Sequence, residues 1–470
     1  MRNRCIVFVF LMIITTGINA QTIHFVRNGA TGLNNGTDWI NAYTDLPDIL
    51  VRGDTYYIAD GVYDRYTFDD ALIGTEYIKI VKAIPDDYGE GNGWMDSYGD
   101  GVAVFNDGFL FITGYYEING QVGGGPESWF SGFGFKLQGY SANVKLVDLR
   151  GPDWYYEPLP DNISISHTEI VHRGRYTGDM DDGIYTIAMN KDGTKSINQV
   201  EGSKNVTISY CYLHDFGRFP IQTHSCSNWI VEYTCIARNS SNAEQHSEGW
   251  QDFGSDDIIA RYNLFIDCTG TGFIVLKKNY PQINENWDVY GNIFLHTEAN
   301  RTTKSNSCGH GVFTQSLEET TESINLNFFN NTIINVGGWA SGVWFPNGVN
   351  VNIYNNLWYR CDAYLYGTNI TNLHLGDGSS VKYDYNTYIQ SPLKQTVAAE
   401  HDEIIDFGNP FVDWQNFNFN LTSNTSSGKV LDEKYAYDMF GNYRKSWTRG
   451  AIELIEADSF MKPSGIRVFQ

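Results

Sequence analysis

The run EQHSEGWQDFGSDD, residues 244–257, holds the densest set of proton-moving groups in the chain. His246, Glu248 and Asp252 are spaced by two and four, so an extended strand carries them on one side with Trp250 between them. An imidazole titrates near 6.5 when unperturbed, and beside a carboxylate it is a general acid or base. Arg218, Gln222 and His224 precede this run; Lys277 and His310 follow it. Abstraction of an acidic C–H proton would draw its base from His246, His224 or Lys277, with Arg218 neutralising the charge that develops. An acetal cleavage would instead take Glu248 and Asp252 as its pair of carboxyls, with His310 close by. Separately, GDMDDG offers Asp179, Asp181 and Asp182 as hard oxygen ligands for Ca2+, although it lacks the full EF-hand spacing and reads more readily as an acidic turn.

These groups lie far apart in sequence, so something must stack them. One pattern recurs from Asn205 onward: NVTISYCYLHD, NWIVEYTCIAR, DIIARYNLFID, NWDVYGNIFLH, NLNFFNNTIIN, NVNIYNNLWYR and SVKYDYNTYIQ. Within each copy apolar and polar residues alternate, with Val, Ile, Tyr and Phe abundant, which is a strand pattern and not a helical one. The last copies place Asn263, Asn292, Asn331, Asn356 and Asn386 at the same position. Such a column predicts an asparagine ladder at a bend, and the repeats predict a solenoid whose coils bury one shared core. The predicted fold is all-β, a right-handed parallel β-helix.

A second strand recurs between the copies: EGWQDFG, TGFIVLK, HGVFTQ and SGVWFPN. Aligning Gly249, Gly272, Gly311 and Gly342 puts Trp250 level with Phe273, Val312 and Val343, which read as inward-facing. On that parity Glu248 and Asp252 lean into the core, and Gln222, His224, Gln251, Phe313 and Trp344 form the exposed face. On the other parity, His246, Glu248 and Asp252 line the surface with Trp250. Trp250, Gln222, Gln251, Trp344 and Tyr185 are the candidate ligand contacts.

At the N-terminus MRNR, the apolar run CIVFVFLMIITTGI and the small residues before Gln21 predict a signal peptide cleaved near Ala20. A secreted, periplasmic or cell-surface location follows, without membrane insertion. Residues 21–455 are expected to form a single domain: a capping segment over 21–52 with a short amphipathic helix in NAYTDLPDIL, loop-rich early coils over 53–160, regular coils over 161–391, and closing coils over 392–455. Residues 456–470 read as a tail. In the early region Trp94, Trp129, Trp154, Tyr155 and Tyr156 are aromatic candidates for a binding wall. Six cysteines follow the cleavage site in no zinc-binding spacing; Cys211 and Cys235 fall on consecutive coils, and buried thiols are expected for most. With a formal net charge of −23, nucleic acid and anionic membranes are disfavoured partners. A polyanion is repelled too, unless cations or a local basic patch intervene.

The order of export signal, short helix, GDTYYIADGVY, asparagine-rich coils and DMFGNYRKSWTRGAIE resembles bacterial right-handed parallel β-helix proteins of the pectate-lyase-like superfamily. The resemblance implies a polysaccharide partner along a strand-lined groove, with lyase or glycoside hydrolase activity, and Ca2+ as the one cofactor to consider. That superfamily also holds non-catalytic members, so a carbohydrate-binding or structural solenoid is the alternative. Gly309-His310-Gly311 looks like the GHG of polygalacturonases, but the accompanying basic motif is missing. The lysine of the alginate lyase branch would fall near Asp252 or Phe253 and is missing as well. A monomer is expected.

Overall fold

The computed structural model describes residues 21–454 apart from 86–91, 127, 151–158, 175–179, 187–201, 240–246, 269, 271, 277–283, 301–310, 316–322, 338–342, 345–348, 362–379 and 393–397. Three parallel sheets run its length, of twelve, twelve and nine strands among the described residues. The chain visits them in rotation. One turn of the rotation passes from Lys204–Ser209 in sheet I to Tyr212–His214 in sheet II and Ile221–His224 in sheet III, then back to sheet I at Ser227–Glu232. The result is a parallel β-helix, and parallel crossovers are almost always right-handed.

Alternation fills the core. In sheet I, Val206, Ile208, Trp229, Val231, Ile258, Ala260, Trp287 and Val289 all lie inside one continuous apolar cluster. The asparagine ladder forms as the sequence implies. The side-chain amide of Asn263 donates to Asn292 at 3.0 Å, Asn292 to Asn331 at 3.1 Å, Asn331 to Asn356 at 3.1 Å and Asn356 to Asn386 at 3.0 Å. Each accepting oxygen also takes the backbone N–H of the previous ladder residue. Thr234 carries the column upstream, its hydroxyl accepting from the N–H of Cys211 at 3.2 Å. The residue just before each position turns through the left-handed region, with φ of 53° at Tyr210, 48° at Tyr233 and 57° at Tyr262. Bulky side chains rarely adopt that conformation. Here stacked rings oppose the cost, Tyr210 on Tyr233 at 4.9 Å and Tyr233 on Tyr262 at 5.1 Å.

No helix forms over 21–52. Pro47 interrupts the expected amphipathic run, and the backbone bonds of Tyr43 go to Phe25 and Arg27 in and beside the first strand. The segment instead runs without regular helix and adds Leu46 and Leu50 to the core. The early region is more regular than its glycines suggest, since Ala103–Asn106, Phe109–Phe111, Tyr116–Asn119, Phe135–Gln138 and Lys145–Asp148 complete ordinary coils. Trp94 and Trp129 are buried in packing clusters, while Trp154, Tyr155 and Tyr156 lie outside the described residues. After Glu403–Ile405 the chain doubles back over sheet II. Phe411, Trp414, Tyr435, Met439, Trp447 and Ile452 pack there on Tyr262, Leu264, Ile293 and Leu357. Cys211, Cys226, Cys235, Cys268 and Cys361 are buried free thiols. No described helix is long and apolar enough to cross a membrane.

Candidate functional site

From Ser166 onward sheet I meets sheet II in tight turns, whereas loop lengths vary at both ends of sheet III. Variable loops on a rigid sheet are where a site can be built. In sheet III, Ile184, Ile221, Trp250, Ile274, Phe313 and Val343 belong to the core. The alternate residues therefore make an outward column, which the strand register carries from Asp148 to Tyr185, Gln222, Gln251 and Val275, and by backbone position to Thr314 and Trp344. Outward does not mean open: Asp148, Tyr185, Gln222 and Gln251 are 3–7% exposed.

At its upper end the column, at Asp148 and Tyr185, borders an ionic cluster whose Lys145 and Asp182 lie on the core-facing parity of Val147 and Ile184. Arg150 clamps Asp148 with two parallel bonds of 2.8 and 2.6 Å, and Arg65 stands 3.6 Å away on its outer side. One strand on, the fully buried Asp182 accepts from Lys145 and takes a second fork from Arg218 at 2.8 and 2.5 Å. Gly183 makes this packing possible, because a Cβ there would lie 2.4 Å from the carbonyl of Pro220 and against the Phe216 ring. The Tyr185 ring sits among three of the cations, with the Lys145 ammonium 4.9 Å, the Arg150 guanidinium 5.3 Å and the Arg218 guanidinium 5.8 Å from its centroid. Arg65, Lys145, Arg150 and Arg218 face Asp148 and Asp182, with Asp107 also acting on Arg65, so the cluster keeps a small positive excess on a chain whose net charge is −23.

Titration follows from these contacts. Burial pushes the Asp182 carboxyl up, but Lys145 and Arg218 outweigh it and hold it below the usual range. The same pairing does not keep Lys145 high: burial lowers it, with Arg218 and Arg150 adding repulsion, and Asp182 only partly restores it. Lys145 therefore gives up its proton more readily than an exposed lysine. Burial and then the charge of Asp182 push the Tyr185 phenol up, which keeps it protonated at neutral pH.

Below the ionic part the column becomes an amide chain. Gln222 donates to the Gln251 carbonyl oxygen at 3.0 Å, and the Gln251 amide points at the Glu248 carboxylate at 3.5 Å. The other side-chain oxygen, Gln222 Oε1, is buried and accepts no hydrogen bond among the described residues. His224 stacks on Phe253 with ring centroids 4.2 Å apart.

Of the residues singled out from sequence, Arg218, Tyr185, Gln222, His224 and Gln251 meet on this face. Glu248 is buried beside it, and the Asn239 amide donates to the backbone carbonyls of Ser247 and Glu248. Trp250 and Asp252 point the other way. Asp252 accepts from Thr223 at 2.5 Å and from the Ser255 N–H at 3.0 Å, and the Trp250 indole donates to Thr223 at 2.8 Å, all inside the core. Burial raises the Asp252 carboxyl, opposed by its bonds to Ser255 and Thr223. Phe313 is also a core residue rather than part of the exposed face. Gly272 pairs with Gly311 as aligned, but Trp250 pairs with Ile274 and Val343 with Phe313, so Gly249 and Gly342 fall outside that column. Asp181 is held by Arg173 at 2.6 Å and by the Asn143 N–H at 2.8 Å, and Asp182 by Lys145 and Arg218. Both carboxylates thus face cationic side chains, and the described residues contain no cluster of three or more His, Cys, Asp or Glu side chains placed to hold a metal ion. Asp179, His246, Lys277, His310 and the Trp344 side chain lie outside the described residues. Sequence reasoning missed Arg65, Lys145, Asp148 and Arg150. The available signal was KLVDLR, three charges in an otherwise apolar strand.

No protein-family model matches the chain, and no curated protein matches it. Among solved structures it is similar to pectate lyase Pel9A over 93% of its own length and 98% of that chain, at 14% identity and a TM-score of 0.48. It is similar to XylC, solved in complex with xylose, over 93% of its length and 99% of that chain, at 10% identity and a TM-score of 0.47. The PL6 family polysaccharide lyase Pedsa3628 from Pseudopedobacter saltans aligns over 82% of this chain and 94% of its own, at 10% identity and a TM-score of 0.36.

Proposed function

We propose that the protein is an exported enzyme that binds an acidic polysaccharide over sheet III and cleaves it by elimination. The observation that carries this reading is the basic patch of Arg65, Lys145, Arg150 and Arg218 around Tyr185 on a strongly acidic chain. In this reading the guanidiniums take the uronate carboxylate, which makes the proton on the adjacent ring carbon more acidic. Lys145, whose proton burial makes easier to lose, accepts that proton in its neutral amine form, leaving the three arginines as the fixed charges of the patch. The electrons of the C–H bond form the new C=C bond, the glycosidic C–O bond breaks, and the neutral Tyr185 phenol protonates the departing oxygen. The arginines supply charge neutralisation that Ca2+ supplies in other sites, so an assay should be run with and without it.

A second reading, a non-catalytic carbohydrate-binding solenoid, is favoured by the burial of Glu248 and Asp252, the carboxylate pair that hydrolysis would need. The experiment that separates them incubates the exported chain, residues 21–470, with a panel of acidic and neutral polysaccharides. Unsaturated ends detected by ultraviolet absorbance, and their loss in Arg218→Met, are the expected result. New reducing ends without that absorbance would overturn elimination in favour of hydrolysis. Binding without either product would leave the solenoid reading standing.

A further inference from the structure

The amide chain below the basic patch has a direction, and something must set it. A glutamine side chain offers two donors at one end and an acceptor at the other, so a run of glutamines can point either way unless one end is fixed. Glu248 fixes it. The Gln251 amide points at a Glu248 carboxyl oxygen at 3.5 Å, and the Gln251 oxygen is turned toward Gln222, whose amide it accepts at 3.0 Å. Gln222 must then present its own amide to Gln251. Its Oε1 is left as the terminal acceptor, buried, without a hydrogen bond among the described residues, and one strand from Tyr185. Asn239 holds the backbone carbonyl of Glu248 at 2.9 Å, which fixes the backbone from which that side chain extends.

We propose that Gln222 Oε1 binds a hydroxyl or acetamido N–H on a neutral sugar unit next to the uronate, and that Glu248, acting through Gln251, is the positioning residue for that contact. The proposal rests on the reading of the basic patch as the carboxylate site. A buried acceptor left unmade is unfavourable, and a sugar O–H or N–H completes it. A second carboxylate does not, because it brings only acceptors to an acceptor and meets the negative end of the chain set by Glu248. The substrate class is therefore a mixed glycan in which acidic and neutral units adjoin, not an all-uronate homopolymer.

The test measures affinity of the full exported chain, by calorimetry, for two probes of equal length. One is an oligogalacturonate, in which every unit is acidic; the other is a chondroitin oligosaccharide, in which uronate alternates with N-acetylhexosamine. The unaltered protein is expected to prefer the mixed probe by about tenfold, the value of one hydrogen bond to a buried group. Gln222→Met should erase that preference, and Glu248→Gln should reduce it, because either amide direction is then allowed. General damage lowers both affinities and leaves their ratio alone, so the ratio is the readout. If Gln222→Met does not fold, the ratio in Glu248→Gln decides. Equal affinities in the unaltered protein, or a preference that survives both substitutions, would overturn the proposal while leaving the basic patch in place. Failure of the underlying reading looks different: both probes then bind no more weakly to Arg218→Met than to the unaltered protein, or neither probe binds at all, and the amide proposal falls with it.

Discussion

Replacing Asn331 by leucine tests whether the ladder supports the coils as its hydrogen bonds imply. The side chain is fully buried; its oxygen accepts from the Asn292 backbone and amide at 3.0 and 3.1 Å, and its amide donates to the Val289 carbonyl at 2.9 Å and to Asn356 at 3.1 Å. Leucine keeps the branched four-atom outline but is bulkier, so no cavity is left and overpacking adds to the loss. It strips two buried backbone groups, the N–H of Asn292 and the C=O of Val289, at about 1–3 kcal/mol each, so the variant should lose about 2–6 kcal/mol. Threonine should cost roughly half of that. The precedent is in the same column, where Thr234 already accepts from a backbone N–H at 3.2 Å but sends its own proton to the nearby Glu232 carbonyl. It therefore replaces the acceptor and not the long-reach donor. Urea unfolding followed by tryptophan fluorescence reads this locally, because buried Trp287 and Trp358 sit on the coils either side. Equal losses for the leucine and threonine variants, or a leucine loss under about 1 kcal/mol, would refute the reasoning.

Three further outcomes are expected. Asp182→Leu leaves Lys145 and Arg218 facing each other without their shared carboxylate, and should cost about 3–5 kcal/mol in urea unfolding at neutral pH; a loss near zero would mean that water reaches the cluster. Because the folded Asp182 carboxyl lies below its usual 3.8, its stabilisation is present above that pH and should fade as pH falls through the folded value. Asp252→Asn should do the opposite of a catalytic knockout. Its carboxyl is raised above 3.8, so the folded state loses stability as pH climbs through that raised value, and the asparagine variant should be the more stable at pH 7 with activity retained. Abolished activity in a folded Asp252→Asn would return that residue to the catalytic list. Finally, burial pushes the Cys211 and Cys226 thiols up to about 12, so a thiol reagent at pH 8 should find both unreactive until the protein is denatured. Reaction in the native state would show that these coils open.

What could be read from the sequence divides along the same physical line as the structure. Periodicity and identity carried the fold, since alternating strands and a repeated asparagine are local signals that each coil restates. Asn263 through Asn386 are accordingly where they were expected. The capping helix was misread because amphipathic spacing in NAYTDLPDIL outweighed Pro47, while the deciding interactions, from Tyr43 to the first strand, cross a loop. The face of sheet III depended on register. Glycine was used to set it, and glycine has no side chain whose burial fixes a column, so Trp250 was matched one residue away from Ile274, its actual partner.

The basic patch was the hardest to see, and for a reason that bears on function. Lys145, Asp148 and Arg150 sit in one strand, Asp182 and Tyr185 in the next, Arg218 ahead of a third, and Arg65 beside an early coil. No window of sequence contains more than three of them, and the chain-wide charge of −23 hides their sum. The densest motif, by contrast, turned out to divide its work, with Trp250 and Asp252 holding the core and Glu248 directing an amide chain outward. Density in sequence measures how much one coil must satisfy by itself. A ligand lying across several coils is met by single residues drawn from each, so the evidence for it lies in columns, and columns exist only once the register is known.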